Sequence, residues 1–264
     1  MAEQDRVSSI ADASKPNAGR IYDFVLGGNH NFEVDRLAAQ QVLKIVPDFP
    51  QIARIIRWFL GEAVRVLAAE GCTQFIDFAS GLPTIDHIHQ ITPAGTKVIY
   101  SDIDPVTVAY GQEIIKEFAN ARYVFCEAGK PEIMLNSPMV GEFFGKSRRV
   151  AIGFNGIAYF LKDEQISHAM KTLHAWAEKG SRLFLCDFDY TNPPPEVVAG
   201  MKLYEKMGQP VHFRTLKELQ SLVAPWQLGK GFHPPEEWLG VTKKVAEDKK
   251  SAFTEVLKGA ILEK

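Results

Sequence analysis

The chain has 264 residues, of which 46% are hydrophobic and 23% charged, ordinary globular material long enough for one large α/β core with appendages. A formal net charge of -2 leaves no basic field, which argues against extensive phosphate neutralisation and hence against a nucleic-acid partner. Three widely spaced cysteines, Cys72, Cys126 and Cys186, and the lack of any uninterrupted apolar run of about 18 residues point to buried thiols in a cytoplasmic protein, neither secreted nor inserted in a membrane.

In chain order, residues 1–14 are polar and mixed in charge, and are expected to be poorly ordered. Residues 15–72 read as a helical cap or lid. Ile21 to Leu26 runs into Gly27-Gly28, which would stop a helix and leave Asn29, His30 and Asn31 projecting from a loop. Val34, Leu37, Ala38, Val42 and Ile45 follow helical spacing until Pro47 and Pro50 interrupt, and Ile52, Ile56, Phe59, Leu60, Ala63 and Leu67 resume it.

From Gln74 onward strand and helix alternate. Strands are expected near 74–79, 97–102, 121–126, 149–155 and 181–187, with helices near 105–118, 130–136 and 163–178. That rhythm predicts a mostly parallel, doubly wound sheet spanning 73–242. Asn192-Pro193-Pro194-Pro195 is a rigid break, followed by helices near 196–207 and 215–223, and the segments near 209–213 and 226–232 read as antiparallel edge strands. In 243–264, Val245, Phe253, Val256, Leu257, Ala260 and Ile261 fall on one helical face opposite many lysines, which predicts a surface helix.

The chemistry concentrates at the ends of the first two strands. Phe75-Ile76-Asp77-Phe78 runs into Ala79-Ser80-Gly81-Leu82-Pro83-Thr84, and Val98-Ile99-Tyr100-Ser101-Asp102 into a Pro105-started helix. This is the outline of a nucleoside-binding unit, with Asp102 placed to take both ribose hydroxyls and the first turn to bring backbone N–H groups to the other end of the ligand. A dinucleotide needs room for its pyrophosphate, yet Ala79 and Pro83 stand where glycines would run. S-adenosylmethionine carries no phosphate, and its zwitterionic tail asks for an acid and a few backbone donors, which Asp77 and Gly81 can supply. It is favoured over NAD.

Arg20-Ile21-Tyr22-Asp23-Phe24-Val25-Leu26-Gly27-Gly28-Asn29-His30-Asn31-Phe32, Asp35-Arg36, Gly81-Leu82-Pro83-Thr84 and Asp102-Ile103-Asp104-Pro105 together resemble a family of S-adenosylmethionine-dependent methyltransferase-like proteins catalogued as a domain of unknown function, over roughly residues 15–243. The resemblance implies a class I methyltransferase (Rossmann-like) fold, with a seven-stranded sheet, an N-terminal helical cap and S-adenosyl-L-methionine as cofactor. It places Asp77 and the backbone of Ala79, Gly81 and Leu82 on the methionine tail, Asp102 on the ribose, Ile103 against the adenine, Glu127 and Ala128 near the adenine amino group, and Asn155 and Gly156 beside the sulfonium and the acceptor. Arg20 would meet the methionine carboxylate and Tyr22 would close over the sulfonium as part of a lid. The chain departs from the family pattern at Ala79, in the stretch Gly153 to Phe160 and in its extension after about residue 243.

The acceptor is read as a small molecule methylated at O or N. Methyl transfer is an in-line displacement that positioning and desolvation can carry without an acid or base. Should a base be used, His30, Tyr159, Asp187, Asp189 and Tyr190 are the candidates. His87 and His89 are read as two solvated side chains, since i and i+2 on a helix point apart, so no metal site is expected. Asn192-Pro193-Pro194 follows the fifth strand and ends in Pro195 without an aromatic, which marks a linker and not a base-methylating tetrad. A binding module without methyl transfer and a nucleotide-dependent oxidoreductase are the alternatives.

Overall fold

The computed structural model describes residues 14–82, 87–238 and 255–264. Expectations for 1–13, for Pro83 and Thr84 and for 239–254 lie outside those residues.

Three helices precede the sheet: α1 (Ala18–Val25), α2 (Glu33–Ile45) and α3 (Phe49–Ala69). Asn17 starts α1 by accepting the Gly19 and Arg20 N–H groups at 2.8 and 3.1 Å. Pro50 falls in the first turn of α3, where its missing N–H costs nothing. The apolar face of α3 buries Phe59, Val64 and Leu67 completely against Phe75, Val98 and Tyr100, so this helix forms one layer over the sheet.

The remaining elements are β1 (Gln74–Phe78), α4 (Ile88–Ile91), β2 (Lys97–Asp102), α5 (Pro105–Ile115), β3 (Ala121–Phe125), α6 (Glu132–Leu135), α7 (Pro138–Phe144), β4 (Ala151–Gly153), a 3-10 turn (Ala158–Phe160), α8 (Asp163–Trp176), β5 (Arg182–Phe188), α9 (Pro195–Lys206), α10 (Leu216–Leu222), β6 (Gln227–Leu228), α11 (Pro235–Trp238) and β7 (Leu257–Glu263). Each of the first five expected strands is present within a few residues of its expected span. The sheet runs β3-β2-β1-β4-β5-β7-β6, with β1 to β5 parallel and β7 antiparallel to both neighbours. Its second face is covered by α8, whose Ile166, Met170 and Leu173 pack on Ile76, Ile99, Ile152 and Leu183. Both faces being covered, Phe75, Ile76 and Phe78 are all buried, giving the unbroken apolar run of a central strand. Among the described residues no helix is long and apolar enough to cross a membrane.

Two expectations are corrected. Leu257–Glu263 of the expected surface helix form β7 instead and pair with β5 from Arg182↔Glu263 to Phe188↔Leu257, and Leu257, Ala260 and Leu262 are fully buried. A strand covered on both faces is apolar at neighbouring positions, and so also satisfies helical spacing over a short window. The 209–213 segment forms no strand; it is a loop tied by the His212 N–H to the Tyr159 carbonyl at 2.8 Å, while Gln227–Leu228 alone supplies the other edge.

The turn after β1 resolves the departure at position 79. Ala79 sits at φ 52°, in the left-handed region, followed by Gly81 at φ 61°. A Cβ there costs on the order of 1–2 kcal/mol. The conformation is held by neighbours, since Ser80 N–H donates to Ser101 O at 2.9 Å, Ser80 Oγ to Asp77 O at 2.6 Å and Tyr123 Oη to Gly81 O at 2.7 Å. Relief of strain in Ala79→Gly is offset by the greater freedom of glycine in the unfolded chain, about 0.4–1 kcal/mol. Chemical denaturation of that variant is expected to show a change within about 1 kcal/mol, in the stabilising direction; a larger loss would mean that the methyl group packs against something the turn needs.

Candidate active site

The carboxyl ends of β1 to β5 open into one cavity of about 1230 Å³, roofed by α1, α2, α3 and α9. It exceeds the roughly 300–1,000 Å³ of a single small-ligand site. Tyr22, His30, Asp77, Ala79, Gly81, Leu82, Asp102, Ile103, Glu127, Ala128, Asn155, Gly156 and Tyr159 all line it. The topology thus brings together thirteen of the residues singled out from the sequence.

Asp77 is 1% exposed, and its Oδ2 has no hydrogen-bond partner among the described residues. Burial pushes its carboxyl up to about 7, against the opposing pull of Arg57 and Ser80. Room for this side chain depends on Gly153 of β4, where a Cβ would collide with Asp77 Oδ1 and the Phe184 ring. Asp102 accepts the Asp104 N–H on Oδ1 at 2.9 Å and the Gly81 N–H on Oδ2 at 3.1 Å. Each oxygen keeps capacity for a further donor, and burial raises this carboxyl to about 6 in spite of those N–H groups. Glu127 Oε1 accepts from Gln165 Nε2 at 3.2 Å, and its Oε2 lies 3.5 Å from Lys130. Asn155 Nδ2 donates to Ile56 O at 3.1 Å, while its shielded Oδ1 has no partner among the described residues.

The Gly-Gly loop owes its shape to Asp23. The Asp23 carbonyl accepts the Gly28 N–H at 2.8 Å, and its Oδ2 accepts from His30 N and Asn31 Nδ2, both at 2.9 Å. A Cβ on Gly28 would strike that carboxylate. The loop so formed leans His30 edge-on against Tyr110, ring centroids 5.0 Å apart, at the cavity wall. Tyr22 closes the same side, its hydroxyl donating to Ala53 O at 2.8 Å.

Arg20 is elsewhere. It is 1% exposed and absent from the cavity wall, its Nε 2.8 Å from Asp35 Oδ2, its Nη1 3.0 Å from Asp104 Oδ2 and its Nη2 donating to Lys15 O at 2.9 Å. The guanidinium is spent on a clamp joining α1 to α2 and to the start of α5, so the expectation that it meets a ligand carboxylate is corrected. Asp35 also accepts Asn17 N–H and Phe32 N–H, and Asp104 accepts Val106 N–H and Thr107 Oγ1, so three separate motif fragments converge on one ion network.

Of the cations on the cavity wall Lys15 and Lys162 are exposed, whereas Arg57, which sequence reasoning passed over, is half-buried. Its signal was a charge on the otherwise apolar face of α3, three residues before Leu60. Arg57 Nη2 lies against His87 Nε2, and burial together with Arg57 holds His87 well below its usual pKa, so that the imidazole stays neutral. His87 and His89 are therefore not the solvated pair expected, since both are buried and His89 pairs through Nδ1 with Tyr100 Oη at 2.8 Å. Among the described residues no cluster of three His, Cys, Asp or Glu side chains could hold a metal.

Of the possible bases, Asp187, Asp189 and Tyr190 are absent from the wall. Asp187 accepts the Phe188 N–H at 2.7 Å, Asp189 accepts from Thr191 N and Oγ1, and Tyr190 turns to Met201 Sδ.

A family model described as S-adenosyl methyltransferase matches residues 4–259. The chain belongs to this family. The match runs past residue 243 and takes in the first three residues of β7, so the extension after residue 243 lies largely within the family match and is not a departure from it. A crystal structure of a candidate methyltransferase from Thermobifida fusca YX is similar at TM-score 0.87 and 28% identity, covering 96% of this chain and 97% of the other. A DUF574 family protein from Streptomyces avermitilis MA-4680 gives 0.86 and 25%, covering 96% and 99%. Magnesium protoporphyrin IX methyltransferase from Synechocystis PCC 6803, solved with bound S-adenosylhomocysteine, shares the fold at TM-score 0.55 and 12% identity over the full length of both chains. No functionally curated protein matches the sequence. The protein is an S-adenosylmethionine-dependent methyltransferase of class I fold.

Proposed function

We propose that this methyltransferase acts on a small molecule, at oxygen or nitrogen, inside the closed end of the cavity. The observation that carries the reading is the make-up of the wall, with carboxylates at the tips of β1 to β3 and, Arg57 apart, apolar and aromatic residues from α2, α3 and α9, around a total volume beyond one ligand's need. Asp77 fits the cofactor, because its unpartnered Oδ2 is a buried acceptor suited to an ammonium group. In this reading Arg57 takes the methionine carboxylate in place of Arg20, and neutral His87 orients it. Asp102 holds the ribose; Ile103, Glu127 and Ala128 border the adenine; the backbone at Ala79, Gly81 and Leu82 and the side chain of Tyr22 enclose the tail.

Bound S-adenosylmethionine supplies a methyl group made electrophilic by its sulfonium. The chain's own contribution is to orient the acceptor, exclude water and accept or relay a proton, for which His30 and Tyr159 are the candidates on the wall. The net charge of -2 supports a partner other than nucleic acid. The setting assumed is a reducing cytoplasm, consistent with the burial of Cys72, Cys126 and Cys186.

Incubating the protein with methyl-labelled S-adenosylmethionine and a fractionated cell extract is expected to place label in an extractable small molecule. Label confined to protein or nucleic acid would overturn the small-molecule reading, and tight cofactor binding with no labelled product in any fraction would favour a module that only binds.

A further inference from the structure

Resting on the assignment of the polar end of the cavity to the cofactor, we propose that the acceptor is an uncharged ring compound, aromatic or polycyclic, whose reacting O–H or N–H donates to Asn155 Oδ1.

The apolar end is built from rings. Phe188 lies 5.5 Å from Tyr159, Tyr159 4.7 Å from Phe160, Phe160 6.2 Å from Tyr204 and Tyr204 6.4 Å from Phe49, centroid to centroid, and all five line the cavity. These centroid spacings put successive rings in contact, forming one aromatic belt that a planar ligand can stack on or meet edge-on. Val42 and Val46 from the α2 region, Ile52 and Ile56 from α3 and Met201 from α9 complete the chamber. The two-ended construction is a product of tertiary packing, since α2, α3, the 3-10 turn, β5 and α9 each contribute to the same wall.

Charge is sorted to the other end. The lining carboxylates Asp77, Asp102 and Glu127 sit at the tips of β1, β2 and β3, and Asp23 is engaged by its own loop. Arg57 lines the same cavity and pulls the Asp77 carboxyl down electrostatically, and Lys15 and Lys162 are exposed. Arg57 of α3 apart, the elements that build the chamber (α2, α3, the 3-10 turn, β5 and α9) contribute no charged lining residue. An acceptor carrying a full charge would be desolvated in the belt without a counter-charge. A neutral ring gains the area term at no such cost.

Asn155 supplies the polar handle. Its amide nitrogen is committed to Ile56 O, so the shielded Oδ1 is an acceptor waiting for a donor. The Asn155-Gly156 corner adjoins the belt, since a Cβ on Gly156 would lie 3.3 Å from Ile56 Cγ2 and 3.4 Å from Tyr159 Oη. When the oxygen or nitrogen of a nucleophile held there bonds the methyl carbon, the C–S bond breaks, S-adenosylhomocysteine leaves, and the nucleophile's proton passes to solvent water or to His30 on the wall, the Asn155 amide being too weak a base to keep it. A tertiary amine or a thioether, having no hydrogen to donate, would leave Oδ1 unsatisfied.

The test uses full-length protein saturated with S-adenosylhomocysteine and titrated calorimetrically with three matched probes: 2-naphthol, 2-naphthoate and 2-naphthylmethylammonium. The neutral naphthol is expected to bind at least about tenfold more tightly than either charged analogue. In Val211→Glu, which puts a carboxylate into a partly buried wall position on a loop, naphthol affinity is expected to fall by about tenfold or more while S-adenosylhomocysteine affinity is retained. Equal or better binding of a charged probe, or no binding of any of the three to the saturated protein, overturns the inference. Failure of S-adenosylhomocysteine itself to bind would remove the cofactor assignment, a result read separately before any probe is added.

Discussion

Arg20→Met is expected to lower the free energy of unfolding by about 3–5 kcal/mol while leaving the Kd for S-adenosylhomocysteine, measured on the folded fraction, within about twofold. The side chain bridges two carboxylates that are themselves 0% and 1% exposed, Asp35 and Asp104. Removing the guanidinium leaves both buried without a counter-charge, and the fold then bears their desolvation uncompensated. The methionine side chain replaces stem volume but none of the three hydrogen bonds. A loss of that size is a large share of the 5–15 kcal/mol stability of an ordinary domain, so Arg20→Lys, which keeps the charge and loses the fork, serves as the milder member of the pair. Unchanged melting together with a hundredfold loss of ligand affinity would restore Arg20 to the cofactor site.

Arg57→Gln is expected to weaken S-adenosylhomocysteine by about 10- to 100-fold and to leave 5′-methylthioadenosine, which has the nucleoside but no amino-acid tail, within about twofold. Arg57 and Asp77 present opposite charges on one stretch of wall, a match to the two ends of an α-amino acid. A change in general packing would weaken both ligands alike, which would refute the assignment. Asp77→Asn should show the same selectivity, and its titration adds a pH signature. The carboxyl is raised to about 7 in the folded chain from an ordinary value of 3.8, so the ligand-free fold holds a proton that the unfolded chain releases, and this group's contribution to stability falls as pH rises through roughly 4 to 7. Pairing with an ammonium requires the ionised form. Affinity for S-adenosylhomocysteine is therefore expected to drop as pH is lowered below about 7, by at most about tenfold per unit, and between about pH 7 and pH 6, above the range where Asp102 titrates, the dependence should vanish in Asp77→Asn and for 5′-methylthioadenosine. A flat profile for the wild-type chain would exclude Asp77 from the ammonium.

Several parts of this molecule follow from short stretches of chain. Gln74–Phe78 and Lys97–Asp102 are strands because uninterrupted apolar residues suit a sheet covered on both faces, and the next few residues place Asp77 and Asp102 at the rim. The turn between them could be recognised as unfit for a pyrophosphate from its residues alone. The Gly27-Gly28 stop was equally local, although its dependence on the Asp23 carboxylate was not.

What the tertiary structure decided is which charge faces the cavity and which stays in the wall. Arg20 and Arg57 are both arginines on amphipathic helices, and helical period tells only that each lies near an apolar face. Their roles separate because Asp35 and Asp104, the latter 84 residues away, close on Arg20, whereas α3 brings Arg57 against His87 and onto the cavity wall that Asp77 also lines. The strand at Leu257–Glu263 was likewise undetermined locally, since its apolar pattern satisfies a helix until β5 and β6 offer their backbone groups on either side. The ring belt joins residues from Phe49 to Tyr204 that no sequence window contains together. Local spacing thus determined the strands and the acids at their tips, and long-range packing determined the environment that gives those acids their partners and the acceptor its chamber, because burial and counter-charge depend on which elements meet.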